Sequence, residues 1–275
     1  MKQNLHTHTL YCDGKDSVEE MVRAAIDKGF TTLGFSGHGN CRRIDQYSMD
    51  DQNTERYIRD VQQAKAKYRD RIQLFLGIEQ DVLGKRFVKH QPYDYIIGSV
   101  HFVTCGDAYL AVDESSEITV QIVRHYGSFL SYARAYFEEV KKIAAMDEVD
   151  IVGHVDLLTK FNEDESWIAF DDPDYLQLAY DCIDVLIKSG KIFEVNTGAI
   201  ARGYRKTPYP HALLLSYIAK QGGKICLNSD CHNKDMLDCC YREALKLIKD
   251  CGFEEMMVLD QEKGFIPMPL AAFAA

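Results

Sequence analysis

The chain is short of positive charge. Over 275 residues, 32 Lys and Arg stand against 42 Asp and Glu, a formal net charge of −10. Surfaces built to hold nucleic acid neutralise phosphates with cationic side chains, so this balance argues against a DNA or RNA partner. The nine cysteines include no C-x-x-C, their number is odd, and adjacent Cys239 and Cys240 cannot readily bridge each other. That pattern excludes a disulfide framework and predicts free thiols in a reducing cytoplasm. The N-terminal MKQNLHTHTLYCDG has no secretory apolar region, and no apolar run approaches membrane-spanning length, so a soluble cytoplasmic protein with no membrane partner is expected. No Gly-rich dinucleotide fingerprint or P-loop follows the first expected strand, which removes the usual open-sheet nucleotide readings. Internal repeats, low-complexity segments and dividing linkers are also missing, and with 46% hydrophobic residues the expectation is one domain over residues 1–275.

What is present is a steady alternation of short β-rich apolar runs and amphipathic helical stretches. Strands are expected at Gln3–Thr7, Thr31–Ser36, Ile72–Ile78, Tyr95–Val100, Asp150–His154, Lys191–Asn196 and Lys224–Ser229. Met256–Leu259 is an eighth strand or packing at the edge. Helices are expected at Ser17–Lys28, opened by the Ser17/Glu20 capping box and closed by Gly29, and at Gln52–Tyr68, Phe129–Ala145, Asp174–Lys188, Pro210–Gln221 and Asp235–Lys249. A long acidic and polar insertion, about 104–127, carries no element in this reading. Strands alternating with helices imply parallel βαβ units, and seven or eight of them over this length imply a closed α/β barrel.

Nine potential metal ligands fall at or near the ends of these strands: His6, His8, Asp13, His38, Glu79, His101, His154, Asp230 and His232. His6 and His8 are two apart on a strand and leave the same face, and Asp230 and His232 repeat that spacing. In a parallel barrel the carboxyl ends of the strands share one rim, so residues distant in sequence converge. Imidazoles with carboxylates suit zinc, manganese or iron, and nine ligands exceed what one ion uses. A multinuclear hydrolytic site is the natural reading. Each motif alone is weak, since H-x-H or a lone Glu after a strand is as readily structural; their coincidence carries the argument. His90, His125 and His211 lie away from strand ends and read as ordinary histidines.

With HTHTLYCDG, SGH at 36–38, GIE at 77–79, GSVH at 98–101, GHVD at 153–156 and NSDCH at 228–232 in this order, the sequence resembles the PHP (polymerase and histidinol phosphatase) superfamily. GHVDLLTKF and NTGAIARGYRKTPYP bring it nearest the histidinol-phosphatase branch. The resemblance implies a distorted (β/α)7 TIM-like barrel and three divalent metal ions. It assigns His6, His8, Glu79 and Asp230 to the first ion, Glu79 as a bridge with His101 and His154 to the second, and Asp13, His38 and His232 to the third. Some members carry histidine where Asp13 stands, so the third site here would favour a harder ion or hold it more loosely. The implied activity is hydrolysis of L-histidinol phosphate to L-histidinol and phosphate in histidine biosynthesis, by attack of a metal-bridging hydroxide. Cationic residues of the loops after strands five and six, here Lys160 and Arg202, would pair with phosphate oxygens, with Arg205 and Lys206 as weaker rivals.

Glu79 thus has a catalytic as well as a ligating role, and Asp156 and His232 are candidate proton donors to the leaving group. The acidic stretch Asp107–Glu117 is a solvated loop, or else it lies over the site and meets the amine of a cationic substrate. Competing functions are a phosphatase for another small phosphoester, such as a nucleotide or sugar phosphate; an exonuclease, against which the acidic balance counts; and an inactive metal-binding barrel. The residues leave the native metals, the substrate beyond its phosphate and the oligomeric state open.

Overall fold

The computed structural model describes residues 1–41, 47–84 and 92–273; His90 lies outside them. The strands, in chain order, are β1 (Gln3–Asn4), β2 (Thr32–Phe35), β3 (Gln73–Asp81), β4 (Tyr95–Ser99), β5 (Phe102–Cys105), β6 (Ala108–Ala111), β7 (Ile151–Val152), β8 (Ile192–Asn196), β9 (Lys224–Asn228), β10 (Glu255–Asp260) and β11 (Gly264–Pro269). Seven of them form one sheet in the order β1-β2-β3-β4-β7-β8-β9, each pair parallel. Right-handed βαβ crossovers place the helices outside such a sheet and let it curl into a barrel.

The seam between β1 and β9 is closed by side chains more than by a ladder. Asn4 Nδ2 donates to Ser229 Oγ at 2.6 Å, and Leu5 N–H donates to Asn228 Oδ1 at 2.8 Å. At the rim the backbone takes over, with a parallel bridge between Thr7 and Cys231 and a bond from His8 N to Cys231 O at 3.0 Å. The barrel is thereby nearly closed and distorted, as expected.

Its interior is layered. Leu5, Phe75, Tyr95, Ile97, Ile151, Ile192 and Cys226 fill the lower part, joined by Met257 and Leu259 of β10. The Tyr95 ring crosses the barrel, and its hydroxyl donates to the carbonyls of Leu5 and Phe35. Gly34 and Gly77 make this possible: a Cβ on Gly77 would stand 2.3 Å from the ring carbon Cζ, and one on Gly34 would stand 2.4 Å from the hydroxyl. The outer faces of the strands pack on the helices in a second, larger core.

The helix Val18–Asp27 begins as the capping box predicts: Ser17 Oγ accepts from Glu20 N–H, and Ser17 N–H donates to Glu20 Oε2 at 2.9 Å. Helices Asp51–Tyr68 and Pro173–Lys188 lie within a residue of expectation at each end. The helix expected at Phe129–Ala145 is α-helical to Lys141 and finishes as a 3₁₀ turn, Lys142–Ala145.

Two expectations need correction. The 104–127 insertion is not structureless: β5 and β6 pair as an antiparallel hairpin, and Ser115 caps a helix at Ser116–Tyr126. The single helix expected at Asp235–Lys249 is broken into a 3₁₀ turn, Lys234–Met236, and a helix Tyr241–Asp250. Between them Cys240 adopts φ +57° and Asp238 is drawn to Lys2 and Lys28, so the chain leaves the helical path. Of the two readings of Met256–Leu259, packing at the edge holds: it lies in β10, outside the seven-stranded sheet, paired antiparallel with β11 and packed against the barrel's lower core.

Candidate metal centre

Every one of the nine expected ligands lies at the rim formed by the carboxyl ends of the barrel strands. Glu79 is the hub. It stands within β3 rather than beyond it, because β3 runs on to Asp81 and pairs there with Ser99. Its Oε2 faces His6 Nε2 at 3.1 Å, His38 Nδ1 at 3.1 Å and His8 Nε2 at 3.6 Å. Its Oε1 faces His154 Nε2 at 3.1 Å and His101 Nε2 at 3.3 Å, and accepts from Ser99 Oγ at 2.6 Å. Asp230 Oδ1 lies 3.2 Å from His8 Nε2 and 3.6 Å from His6 Nε2. Asp13 gathers the outer group: its Oδ2 is 3.0 Å from His232 Nε2 and 3.7 Å from His38 Nε2, and its Oδ1 is 3.4 Å from His8 Nδ1.

The strand alternation explains the inner part of this arrangement. Inward positions of β3, β4, β8 and β9 turn from apolar below to polar at the top, where the strands end and solvent begins. The outer ligands come from the loops that follow.

The donor set suits divalent cations. His6 Nε2, His8 Nε2, Asp13 Oδ1, Glu79 Oε2 and His154 Nδ1 are buried and find no hydrogen-bond partner among the described residues. Glu79 Oε2 nevertheless lies 3.1 Å from His6 Nε2 and 3.6 Å from His8 Nε2, close without the alignment of a hydrogen bond. Three overlapping groups place ligand atoms within 4.8 Å of one another: His8, Asp13, His38 and His232; His6, His8 and Glu79; His38, Glu79 and His101. A buried polar atom without a partner is costly, and a shared cation removes that cost for many atoms at once.

Protonation follows the same pressure. Burial alone would raise the Glu79 carboxyl, but His6, His101 and His38 hold it well below the usual range. Asp230 is likewise held low against its burial, by Arg202 and His6. Burial disfavours charge on His101, yet Glu79 and Asp81 push it up to about 10. Burial together with His232 and His38 pushes His8 down to about 3. Without cations, protons on some imidazoles balance the carboxylates.

The cluster opens into a cavity of about 780 Å³ whose walls include Lys160 and Arg202. Arg202 Nη2 bonds Asp230 Oδ2 at 3.1 Å, and its Nη1 lies 3.1 Å from His232 Nδ1. Lys160 is 7% exposed and donates to the carbonyl of Asp113 at 2.6 Å. Tyr109, Leu110 and Ala111 of the β5–β6 hairpin line the cavity with Asp113 and Glu114, so the acidic stretch does lie over the site.

Asp156 does not belong there. It is fully buried, it is not among the residues lining the cavity, and its Oδ2 accepts the backbone N–H of His211 at 2.9 Å. Oδ2 thus ties the loop after β7 to His211, and Oδ1 finds no hydrogen-bond partner among the described residues. Arg205 is also turned inward, donating to Thr159 Oγ1 at 2.6 Å and packing over Tyr209, and Lys206 is exposed off the cavity lining. His125 is exposed and His211 stacks on Phe170, both off the cavity lining as expected.

Sequence reasoning missed Glu194, which lies 2.6 Å from His6 Nδ1, and Asp81, which accepts the His101 backbone N–H at 2.7 Å. The available signal was an acidic residue embedded in an apolar strand, in IFEVN and in GIEQD.

The PHP domain model matches residues 4–198. The chain is similar to a Schizosaccharomyces pombe protein named "Probable histidinol-phosphatase", 24% identical over 93% of this chain and 89% of the relative. It is also similar to the "Histidinol-phosphatase" of Bacillus subtilis, 22% identical over 84% of this chain and 93% of that one. Among solved structures, histidinol phosphate phosphatase from Lactococcus lactis, complexed with Zn, L-histidinol and phosphate, superposes with a TM-score of 0.73 at 21% identity. That match covers 94% of this chain and 96% of the other, and at this identity it bears on the fold.

Proposed function

The chain belongs to the PHP domain family, and on that premise we propose that it is a divalent-metal-dependent phosphatase hydrolysing L-histidinol phosphate to L-histidinol and phosphate. The names of the relatives support this reading, as does the product pair bound with Zn in the Lactococcus lactis structure. The observation that carries it is the convergence of six imidazoles and three carboxylates on one rim, five of the imidazoles facing Glu79, beside a cavity walled by Arg202 and Lys160.

We assign three ions of zinc, manganese or iron to the ligand sets His6, His8, Glu79 and Asp230; Glu79, His101 and His154; and Asp13, His38 and His232. The two oxygens of Glu79 face different imidazoles, which suits a bridge between the first two sets. Bound divalent cations supply electrophilic activation of the phosphoryl group and a nucleophile at neutral pH. This matters because monoester hydrolysis needs rate enhancements of up to roughly 10²¹-fold.

The side chains do the rest. Arg202 is fixed by Asp230, so its planar fork is presented to phosphate at a set distance from the ligands. Lys160 brings a second positive charge to the wall of the cavity, held by Asp113 until a phosphate competes for it. His232 acts with Asp13 in the ligand set. The protein as a whole handles a small phosphorylated substrate.

The test is a panel of phosphomonoesters given to the metal-loaded protein. Histidinol phosphate should exceed nucleotide and sugar phosphates by at least about 100-fold in kcat/KM, a gap of roughly 2.7 kcal/mol in transition-state binding. Equal rates across the panel would reject the substrate assignment while leaving the phosphatase intact.

A further inference from the structure

Glu194 is a carboxylate that the ligand assignments leave unused, and it lies directly against them. It occupies the centre of β8, where Ile192, Glu194 and Asn196 share one face and Phe193 and Val195 pack into the helical core on the other. It is wholly buried, where an ionised carboxylate is costly unless its lone pairs are satisfied. They are. Oε1 lies 2.6 Å from His6 Nδ1 and accepts from Asn228 Nδ2 at 2.9 Å; Oε2 accepts the backbone N–H of His154 at 3.0 Å and Asn196 Nδ2 at 2.9 Å.

These contacts commit one nitrogen of His6. With Nδ1 turned to Glu194, Nε2 is the nitrogen left for the cluster, and it lies 3.1 Å from Glu79 and 3.6 Å from Asp230. It makes no hydrogen bond to either. A ring flip would put Cδ2 against Glu194 and Cε1 where Nε2 now faces the cluster, losing the 2.6 Å contact and the ligating position together. A carboxylate behind a ligating imidazole fixes its tautomer and orientation and raises its basicity.

We propose that Glu194 is the positioning residue for His6, and through it for the cation held by His6, His8, Glu79 and Asp230. The inference rests on the metal-site part of the proposed function and is independent of the substrate. The rival is a purely structural role, in which Glu194 only ties the segments bearing His6, His154, Asn196 and Asn228 together.

The experiment is titration of the metal-free protein with Zn²⁺ against a chromophoric chelator, comparing wild type with Glu194→Gln, alongside thermal melts of both metal-free proteins. For one of the bound ions, affinity should fall about 10- to 100-fold in the variant, while the remaining ions bind as before. A variant that melts lower without Zn²⁺ but binds every ion with wild-type affinity shows the structural role and overturns the proposal. If wild type itself binds no Zn²⁺, the metal-site reading fails first and takes this inference with it. Should Glu194→Gln not fold, ¹⁵N NMR of histidine-labelled, Zn-loaded wild type decides, with His6 identified by the signal missing from His6→Gln. A proton on Nδ1 is expected; zinc on Nδ1 overturns the assignment.

Discussion

Arg202 shows how much one side chain in this site is asked to do. It bonds Asp230 and sits beside His232, both proposed as ligands, while lining the cavity. On the proposed phosphate-binding role, replacing it with Ala removes a charge-assisted contact worth about 1.5–3 kcal/mol, so kcat/KM should fall about 10- to 150-fold in steady-state assays. Arg202→Lys should recover only part of that, because an ammonium lacks the planar fork. An Arg202→Ala enzyme with unchanged kcat/KM would remove this residue from the mechanism. At this scale the cluster of imidazoles and carboxylates was legible, because such side chains at successive strand ends are brought to one rim by a parallel barrel. Glu194 and Asp81 were not, since their partners His6 and His101 are 188 and 20 residues away along the chain. Asp156 is the opposite case: its place in GHVD resembles that of a site residue, while its buried side chain bonds the His211 backbone off the cavity lining.

Elements were located where their chemistry is local. Ser17 and Glu20 cap the first helix by themselves, and alternating apolar runs marked all seven barrel strands. The β5–β6 hairpin escaped because its strands have four residues each and half-exposed faces, too short for a period to show. The break at Cys240 escaped because it depends on Asp238 being held by lysines from the other end of the chain. Close packing between strands gives the prediction at this scale. Gly77→Ala places a methyl against the Tyr95 ring and should destabilise the fold by about 1–3 kcal/mol. For a chain of this size that lowers Tm by very roughly 2–12 °C in a thermal melt. A Tm equal to wild type would mean that the ring has room to move aside.

For the molecule as a whole, metal and fold are linked. Ligands that bind the folded chain stabilise it, by about 2.7 kcal/mol per site at a hundredfold excess over Kd. Stripping the protein with a chelator should therefore abolish phosphatase activity and lower Tm by at least about 5 °C, with both restored by Zn²⁺ or Mn²⁺; a chelated protein with full activity would contradict the metal dependence. The seam of the barrel carries a separate prediction. Lys2 and Lys28 hold the Asp238 carboxyl below its ordinary value although partial burial opposes this. A carboxyl depressed in the folded state adds stability above its unfolded pKa of about 3.9, and that stability is lost as pH falls through the lower folded value. Wild type should exceed Asp238→Asn by about 0.5–1 kcal/mol near pH 6 in denaturant unfolding, and the gap should close toward pH 3. A gap that widens in acid would refute the sign.

The sequence by itself determined which residues can bind metal, where most strands and helices lie and that the strands run parallel, because side-chain chemistry and hydrophobic period are properties of short stretches. Only the tertiary structure decided that Glu79 stands at the centre, that Glu194 lies behind His6, that the hairpin forms a wall of the cavity and that Asp156 bonds the His211 backbone. Each of these depends on the direction of a side chain relative to strands far along the chain, and that direction exists only once the barrel has closed.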